Sequence, residues 1–286
     1  MSNRYSLDEL LYILIAREIR DYENVVIGAG IPVTACVLAK GLHAKNAVLI
    51  TESGMIGFDP LIPITGIADV EACRGFSYST DLFSIFTTHT YRGFVDSCFL
   101  GIGQVDKFGN VNSTVIGDYN NFERRLPGSG GASDFISYSK RTILTLNRGQ
   151  FVEKLDYLTS PGYLDGGDSR DNSGHFLKGS GPSKLISRKG IFKFDTVSKE
   201  MYLVHNHPGI SVEEIKKEIP WELKISPDLS ETKPPTIEEL EFTRKFNPSI
   251  SIGGRATRRL INKIKYPTIP EKGANFHKEL RTKFFS

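Results

Sequence analysis

The first fifty residues alternate strand-like and helix-like segments, and this alternation constrains the fold more than any other feature of the sequence. Asn24–Ile27 and residues 47–51 are short apolar runs of the kind that form buried strands. Between them, residues 33–40 have the small and apolar composition of a packed helix. Because a strand-rich middle follows, we expect a single α/β domain with a mixed, largely parallel sheet flanked by helices.

The distribution of charge indicates one boundary, close to the C-terminus. The chain of 286 residues has a formal net charge of +3, and its 39% hydrophobic and 24% charged residues are ordinary for a folded globular protein. Residues 255–286 contain nine lysines or arginines against two glutamates, a balance of +7 that leaves −4 for the rest. We therefore expect a domain over residues 1–245 and a basic C-terminal extension over 246–286. A solvated or subunit-docking extension is favoured over one that binds phosphate groups or nucleic acid.

Cysteine and histidine usage predicts a protein of a reducing compartment without a metal site. Cys36, Cys73 and Cys98 are odd in number and form no C-x-x-C pair, so we expect three buried thiols in a cytoplasmic protein. His205 and His207 would share one face of a strand, but no third ligand stands at a recognisable spacing. The apolar stretch 10–16 is far shorter than the roughly 20 residues of a membrane span, so we expect no membrane association. Asp8 and Glu9 precede it and no small-residue cleavage site follows, so we expect no signal peptide.

Glu52 is the candidate reactive group, because it follows the apolar run 47–51 directly. Burying an unpaired carboxylate is costly, so this side chain must find a partner or lie at the mouth of a cleft. Open α/β sheets keep their sites at the carboxyl ends of strands, which is where Glu52 would stand. Ser53 and Gly54 come next, and the glycine allows a sharp turn and a close approach of another molecule. The same triplet also fits an ordinary loop with a solvated carboxylate.

Two glycine-rich stretches could bring backbone N–H groups to a ligand. Gly28-x-Gly30 between a strand and a helix is half of a dinucleotide-binding fingerprint, but Pro32 interrupts it and no ribose-binding acid has the expected context. A turn that lets a ligand or partner approach the helix start is therefore favoured over a nicotinamide or flavin site. Residues 126–134 contain Gly-Ser-Gly-Gly, which could direct N–H groups at an anionic oxygen or act as a flexible turn.

Seven short motifs follow one another along the chain in an order that is more specific than any of them alone. They are TESG (51–54), GQVD (103–106), GNVNST (109–114), IGDY (116–119), GSGGA (128–132), KLDYLTSPG (154–162) and GIFKFD (190–195).

In this order the motifs resemble the class I coenzyme A transferases, in particular β subunits of the glutaconate CoA-transferase type. The resemblance covers about residues 7–240 and leaves out the basic extension. It implies that Glu52 is the catalytic glutamate, which would carry CoA as a glutamyl thioester. It also implies an oxyanion and CoA-binding site formed by the loop with Gly128, Gly130, Gly131 and Ala132. Residues that would order the site, or merely satisfy turns, are Ser53, Gly54, Gln104, Asp106 and Asn112.

The resemblance further implies a hetero-oligomer, active only with a partner α subunit. Its substrates would be an acyl-CoA thioester and a carboxylic acid, with no permanently bound cofactor and no nucleic-acid partner. Residues 55–59 depart from the glutaconate pattern, so the acid stays open among dicarboxylates, oxo acids and larger ring-derived acids. Two other functions stay open on the same fold: an acyl-CoA hydrolase subunit, including the ring-opening hydrolases, and a non-catalytic ligand-binding subunit.

Overall fold

A computed structural model describes residues 5–28, 31–59 and 69–246 of the chain. The predicted extension over 246–286 lies outside these residues except for the last residue of a helix. The helices in the described ranges are α1 Leu7–Ala16, α2 Ile31–Leu42, α3 Leu82–Ser84, α4 Ala132–Tyr138, α5 Ser169–Asn172, α6 Val212–Lys216 and α7 Ile237–Phe246, with a 3-10 turn at Val70–Cys73 and a π-helical segment at Ile85–Thr90. The strands are β1 Asn24–Ile27, β2 Val48–Ile50, β3 Met55–Ile56, β4 Tyr78–Ser79, β5 Ser97–Gly101, β6 Gln104–Val105, β7 Val111–Asn112, β8 Val115–Gly117, β9 Phe122–Arg125, β10 Arg141–Leu146, β11 Gln150–Phe151, β12 Pro182–Ser187, β13 Gly190–Phe194, β14 Met201–Asn206 and β15 Lys224–Glu231.

The main sheet has ten strands in the order β15-β14-β13-β12-β10-β5-β1-β2-β3-β4. Its centre, from β12 to β2, is parallel throughout. Antiparallel pairs extend it on both sides, β12 with β13 and β14 beyond one end, and β2 with β3 and β4 beyond the other. The predicted mixed, largely parallel sheet with flanking helices is therefore confirmed.

Helices cover both faces of this sheet, and each face has its own apolar core. Because successive residues of a strand point to opposite faces, Val25 packs with Leu10 and Leu38 of the α1 and α2 layer. Val26 packs on the other face with Ile136 of α4 and Leu144. Strands buried on both faces read as continuous apolar runs, which is why the sequence revealed them.

Ser6 and Glu9, three residues apart, predict a capping box at the start of the N-terminal helix, and the structure confirms it. The Ser6 hydroxyl accepts a hydrogen bond from the Glu9 N–H at 3.2 Å, and the Glu9 carboxylate accepts from the Ser6 N–H at 2.8 Å. This capping box satisfies two backbone donors that a helix start leaves unpaired.

Several local expectations were wrong. The sequence of residues 151–157 predicts a strand, but the strand ends at Phe151, because the Asp156 carboxylate turns inward to accept from the Gln104 amide and from the Gly117 N–H. The sequence of residues 111–116 predicts one continuous strand, but the structure divides it into β7 and β8. Cys73 is exposed, whereas Cys36 and Cys98 are buried as expected.

No helix within the described residues is long and apolar enough to cross a membrane.

Candidate active site

A cavity of about 680 Å³ lies at the carboxyl ends of the central parallel strands. Its lining includes Ile27 at the end of β1, Leu100 and Ile102 around the end of β5, and Thr145 of β10. Glu52 lines it from the end of β2. The parallel arrangement of the strands thus brings one carboxylate to a largely apolar cavity, at the edge of the sheet where such folds keep their sites.

The turn after β2 fixes the position of Glu52. The hydroxyls of Thr51 and Ser53 are hydrogen-bonded at 2.8 Å, and the Thr51 hydroxyl also accepts from the Met55 N–H at 3.2 Å. Gly54 has φ +107°, and an added Cβ would lie 1.9 Å from the carbonyl oxygen of Thr80. Ser53 and Gly54 are not among the residues that line the cavity. Their place in the structure fits the ordering role, because they shape the turn behind Glu52.

The loop before α4 comes directly against Glu52. The backbone N–H of Gly131 donates a hydrogen bond to Glu52 Oε2 at 3.0 Å. A Cβ added at Gly131 would lie 2.7 Å from that same oxygen, and one at Gly130 would lie 3.6 Å from Glu52 Oε1. The two segments that the sequence singled out separately, 79 residues apart, therefore form one site.

Aromatic side chains support this loop from behind. Phe86, on the π-helical segment, stacks on Phe135 of α4 with ring centroids 5.1 Å apart. A Cβ at Gly131 would lie 2.6 Å from the Phe86 ring and 2.8 Å from the Phe135 ring. π-Helical segments recur at functional sites, and here the segment closes the back of the glycine loop.

The glycine loop is anchored by a residue that the sequence analysis did not single out, Ser113. Its hydroxyl donates to the Gly128 carbonyl at 2.9 Å, and its carbonyl accepts from the Gly128 N–H at 2.7 Å. The Ala132 N–H donates to the Ser129 carbonyl at 3.0 Å as α4 begins. Ser113, Gly128 and Ala132 all line the cavity. Only the motif at 109–114 could have indicated Ser113.

Gln104 and Asn112 are buried and lie behind the cavity lining. The Asn112 amide donates to Gln104 Oε1 at 2.7 Å, and the Gln104 amide donates to Asp156 Oδ2 at 2.7 Å. Asn112 Oδ1 accepts from the N–H of Thr114 at 2.9 Å. The two amides thus fix the chain on either side of Ser113, which fits an ordering role and no direct contact with a ligand.

Asp106 satisfies the turn between β6 and β7. Its carboxylate accepts from the backbone N–H groups of Phe108 and Asn110, each at 2.9 Å, and from the Asn110 amide at 2.7 Å. Burial raises the pKa of Asp106 above its ordinary value, in opposition to these hydrogen bonds. It does not line the cavity, so the turn accounts for it.

The geometry gives little support to the dinucleotide site or to the metal site that the sequence raised as alternatives. Gly28 lines the cavity, but its added Cβ would lie 2.4 Å from the Phe99 carbonyl, so close strand packing explains the glycine. Gly30 lies outside the described residues. His207 is buried between the Thr232 hydroxyl at 3.1 Å and the Ser187 carbonyl at 2.9 Å. In the described part of the chain, no three side chains of His, Cys, Asp or Glu gather as a metal site would require.

The cavity also contains cationic side chains that the sequence analysis missed. Arg124 of β9 and Arg148 after β10 both line it and are exposed. No local pattern distinguishes them from other surface arginines, so only the folded arrangement reveals them.

Comparison with known proteins agrees with this arrangement. A family model described as coenzyme A transferase matches residues 10–218. The chain is 36% identical over 242 residues to the β subunit of 3-oxoadipate CoA-transferase of Pseudomonas knackmussii, covering 84% of this chain and 92% of that one. It is 34% identical over 228 residues to the β subunit of glutaconate CoA-transferase of Acidaminococcus fermentans, covering 78% and 85%. The crystal structure of glutaconate coenzyme A-transferase from that organism superposes with a TM-score of 0.78 at 29% identity, covering 88% of this chain and 99% of the other.

Proposed function

This chain belongs to the coenzyme A transferase family, and on that premise we propose that Glu52 is its catalytic nucleophile. The enzyme would be a hetero-oligomer of this chain and an α subunit, because the two relatives are each named as one subunit of a larger enzyme. It would move CoA from an acyl-CoA to a carboxylic acid. The observation that carries the proposal is the hydrogen bond from the Gly131 N–H to the Glu52 carboxylate in the wall of the cavity.

The first half of the reaction forms an anhydride. A carboxylate held against a thioester can attack its carbonyl carbon. A C–O bond to Glu52 forms, the C–S bond breaks, and its electron pair leaves with CoA as the thiolate. The product is a mixed anhydride between Glu52 and the acyl group, and no proton has moved.

The second half transfers CoA to the enzyme. The thiolate attacks the Glu52 carbonyl carbon, a C–S bond forms, and the first acid leaves as a carboxylate when its C–O bond breaks. Glu52 now carries CoA as a thioester. An acceptor carboxylate repeats the two steps in reverse, so no thioester is hydrolysed and no nucleotide triphosphate is consumed.

The glycine loop has an electrostatic role in this scheme. Each addition places a negative charge on a carbonyl oxygen, and for additions at the Glu52 carbonyl the Gly131 N–H already donates to an oxygen of that side chain. Loss of one such donor costs about 3 kcal/mol of transition-state stabilisation in comparable sites. Water must be excluded, because it would hydrolyse both intermediates, and docking of the α subunit would provide that exclusion.

The test is an assay of the complex with its partner subunit, with and without an acceptor acid. Glu52→Gln keeps the shape of the side chain and removes the nucleophile, so transfer should fall by about 10⁴-fold or more. Glu52→Asp displaces the carboxylate by one methylene and should lose about 10²-fold. Glu153→Gln, on an exposed side chain away from the cavity, is the control.

The two other functions predict different results. A hydrolase consumes the acyl-CoA at the same rate without the acceptor acid. A non-catalytic ligand-binding subunit leaves the activity of the complex unchanged in Glu52→Gln. Either result would replace the transferase proposal.

A further inference from the structure

We propose that Arg124 and Arg148 form an anion-binding subsite that holds a negatively charged group of the substrate away from Glu52. This inference rests on the proposed function, because it assumes that the substrate enters the cavity beside Glu52. It assigns a role to two residues that neither the motifs nor the glycine loop explain.

The two arginines lie on the same side of the cavity although they are 24 positions apart in sequence. A Cβ added at Gly103 would lie 2.5 Å from the Leu126 side chain, so the chain leaving β9 passes beside Gly103 two residues after Arg124. The Gln150 N–H donates to the Gly103 carbonyl at 2.9 Å, two residues after Arg148. Gly103 is therefore the point on which both chain segments converge.

Strand alternation directs Arg124 to the cavity. Arg124 and Leu126 both line it, as residues two apart on an extended chain should. Arg125 does not line the cavity, and its guanidinium lies 5.3 Å from the ring centroid of Tyr119 instead. The hairpin thus presents one arginine to the cavity and the next to an aromatic surface.

Sheet order gives the separation from Glu52. Glu52 follows β2 and Arg148 follows β10, and β1 and β5 lie between them. Three strand spacings amount to about 14 Å between the backbones. Ile27 and Leu100 line the cavity from the intervening strands, so an apolar section separates the carboxylate from the guanidinium groups. The side chains of Glu52 and Arg148 both extend from the backbone. An acyl chain of a few carbons can bridge the gap that remains between the carboxylate and the guanidinium.

Both guanidinium groups are available to a ligand. Among the described residues, neither Arg124 nor Arg148 has a hydrogen-bond or ion-pair partner for its side chain, whereas Arg141 pairs with Glu23 at 2.7 Å and Arg188 with Asp8 at 2.7 Å. A guanidinium binds carboxylate and phosphate oxygens through paired N–H donors. The bound group is therefore an anion, either a second carboxylate at the far end of the acyl group or a phosphate of CoA.

The experiment compares matched ligands on the purified complex by titration calorimetry. Glutarate and valerate have five carbons each and differ in the second carboxylate. CoA and 3′-dephospho-CoA differ in one phosphate. The proteins are wild type, Arg124→Gln, Arg148→Gln and the double variant, with Arg125→Gln as the control from the same strand.

We expect the wild-type complex to prefer the ligand with the extra anion in one of the two pairs. Each substitution should reduce that preference by about tenfold, the usual effect of losing a hydrogen bond to a charged group. If the variants lose the preference for glutarate over valerate, the subsite binds a carboxylate. If they lose the preference for CoA over 3′-dephospho-CoA, the subsite binds a phosphate. Arg125→Gln should leave both preferences unchanged.

The subsite is disproved if the double variant keeps both preferences or if the wild-type complex has neither. Because these are binding measurements, they are independent of whether Glu52 forms a covalent intermediate. A wild-type complex without transferase activity but with an arginine-dependent preference would refute the proposed function and leave the subsite standing.

Discussion

The Glu52 carboxylate and the backbone of Gly131 approach as closely as they do because position 131 has no side chain. Its backbone has φ −81° and ψ 4°, in the bridge region that residues other than glycine can also adopt. A methyl group there would meet Glu52 Oε2 at 2.7 Å and the Phe86 ring at 2.6 Å. Glycine is thus required at position 131 for the close approach of the Glu52 carboxylate, and not for the backbone conformation there.

Gly131→Ala should therefore lower kcat by about 10²-fold, because it displaces an N–H donor from the reacting carboxylate. The overpacking against the two phenylalanines should cost about 1–3 kcal/mol of stability. Steady-state kinetics and thermal unfolding of the complex measure both effects. Glu213→Ala, on an exposed side chain of α6 away from the cavity, controls for an ordinary surface substitution. A folded Gly131→Ala complex with kcat within about twofold of wild type would contradict this role.

At the residue scale, the sequence located the carboxylate and the glycine loop but not the rest of the cavity. Glu52 stands out because a charge directly after a buried strand needs a reason, and Gly131 belongs to a glycine-rich run. Arg124 and Arg148 carry no such local sign, since solvated arginines are common on any surface. Their common location depends on which strands meet at Gly103, and no single segment contains that information.

Among the elements, α4 connects the glycine loop to a buried arginine. Arg170 is 2% exposed and donates to the carbonyls of Ile136 at 2.7 Å and of Ser137 at 3.5 Å, at the C-terminal end of the helix. It also donates to the carbonyl of Gly162 at 2.7 Å. Burial lowers the pKa of Arg170 to about 10, so the group is still cationic at neutral pH. One guanidinium thus fixes the end of the helix whose other end begins at Gly131.

Arg170→Lys should loosen α4, because an ammonium cannot reproduce the planar set of guanidinium donors. We expect faster hydrogen exchange in residues 126–139 than in wild type, unchanged exchange in residues 31–40 of α2, and a lower kcat with little change in KM. Arg92→Lys, on an exposed side chain, is the matched control. Equal exchange in residues 126–139 of wild type and Arg170→Lys would show that the helix does not depend on this anchor.

Prediction of elements succeeded where one physical signal dominated. Strands such as β1 and β10 are apolar on both faces, and the helix starts at Ser6 and Ser211 have capping boxes. The prediction of a strand over 151–157 failed because the hydrogen bonds that the Asp156 side chain accepts override the strand propensity of this segment. α4 was missed because a seven-residue helix after a glycine run has too few turns to show a period.

On the scale of the whole molecule, α7 joins the C-terminal end of the described chain to its beginning. Arg244 of α7 donates to the Glu9 carboxylate at 2.7 Å, and Arg17 of the N-terminal region donates to Glu239 at 2.7 Å. Burial acts to raise the pKa of Glu9 and of Glu239, but hydrogen bonds and charge from Arg244 and Arg17 outweigh it and the net shift is downward. Both carboxylates therefore favour the folded state when ionised.

Docking of α7 should weaken in acid. A carboxylate whose pKa is lowered on folding contributes stability that is complete above its unfolded pKa, about 4.5, and is lost as the pH falls through the folded value. Hydrogen exchange of residues 237–246 should therefore accelerate below pH 4.5, relative to its intrinsic rate, before that of β1 and β5. In Glu239→Gln the acceleration should be smaller, because one of the two titrating groups is absent. Equal pH dependence in wild type and this variant would exclude Glu239 as a contributor.

The fold class was predictable from the order of strands and helices, and the family from the order of motifs. The depth of the cavity could not be predicted from the sequence. It depends on how the hairpin β8–β9 and the loop after β10 pack over the carboxyl ends of the central strands. Those contacts join residues far apart in sequence through glycines at which a Cβ would collide, such as Gly103 and Gly149.

The central claim is that CoA becomes attached to Glu52, and the mass of that residue's peptide tests it most directly. The complex is incubated with glutaryl-CoA, trapped in acid and digested, and the peptide that contains Glu52 is measured. The account predicts a peptide heavier by CoA less one water, absent in Glu52→Gln and discharged when an acceptor acid is added before trapping. Transfer of CoA at an undiminished rate in Glu52→Gln, with no adduct on this peptide in wild type, would contradict it.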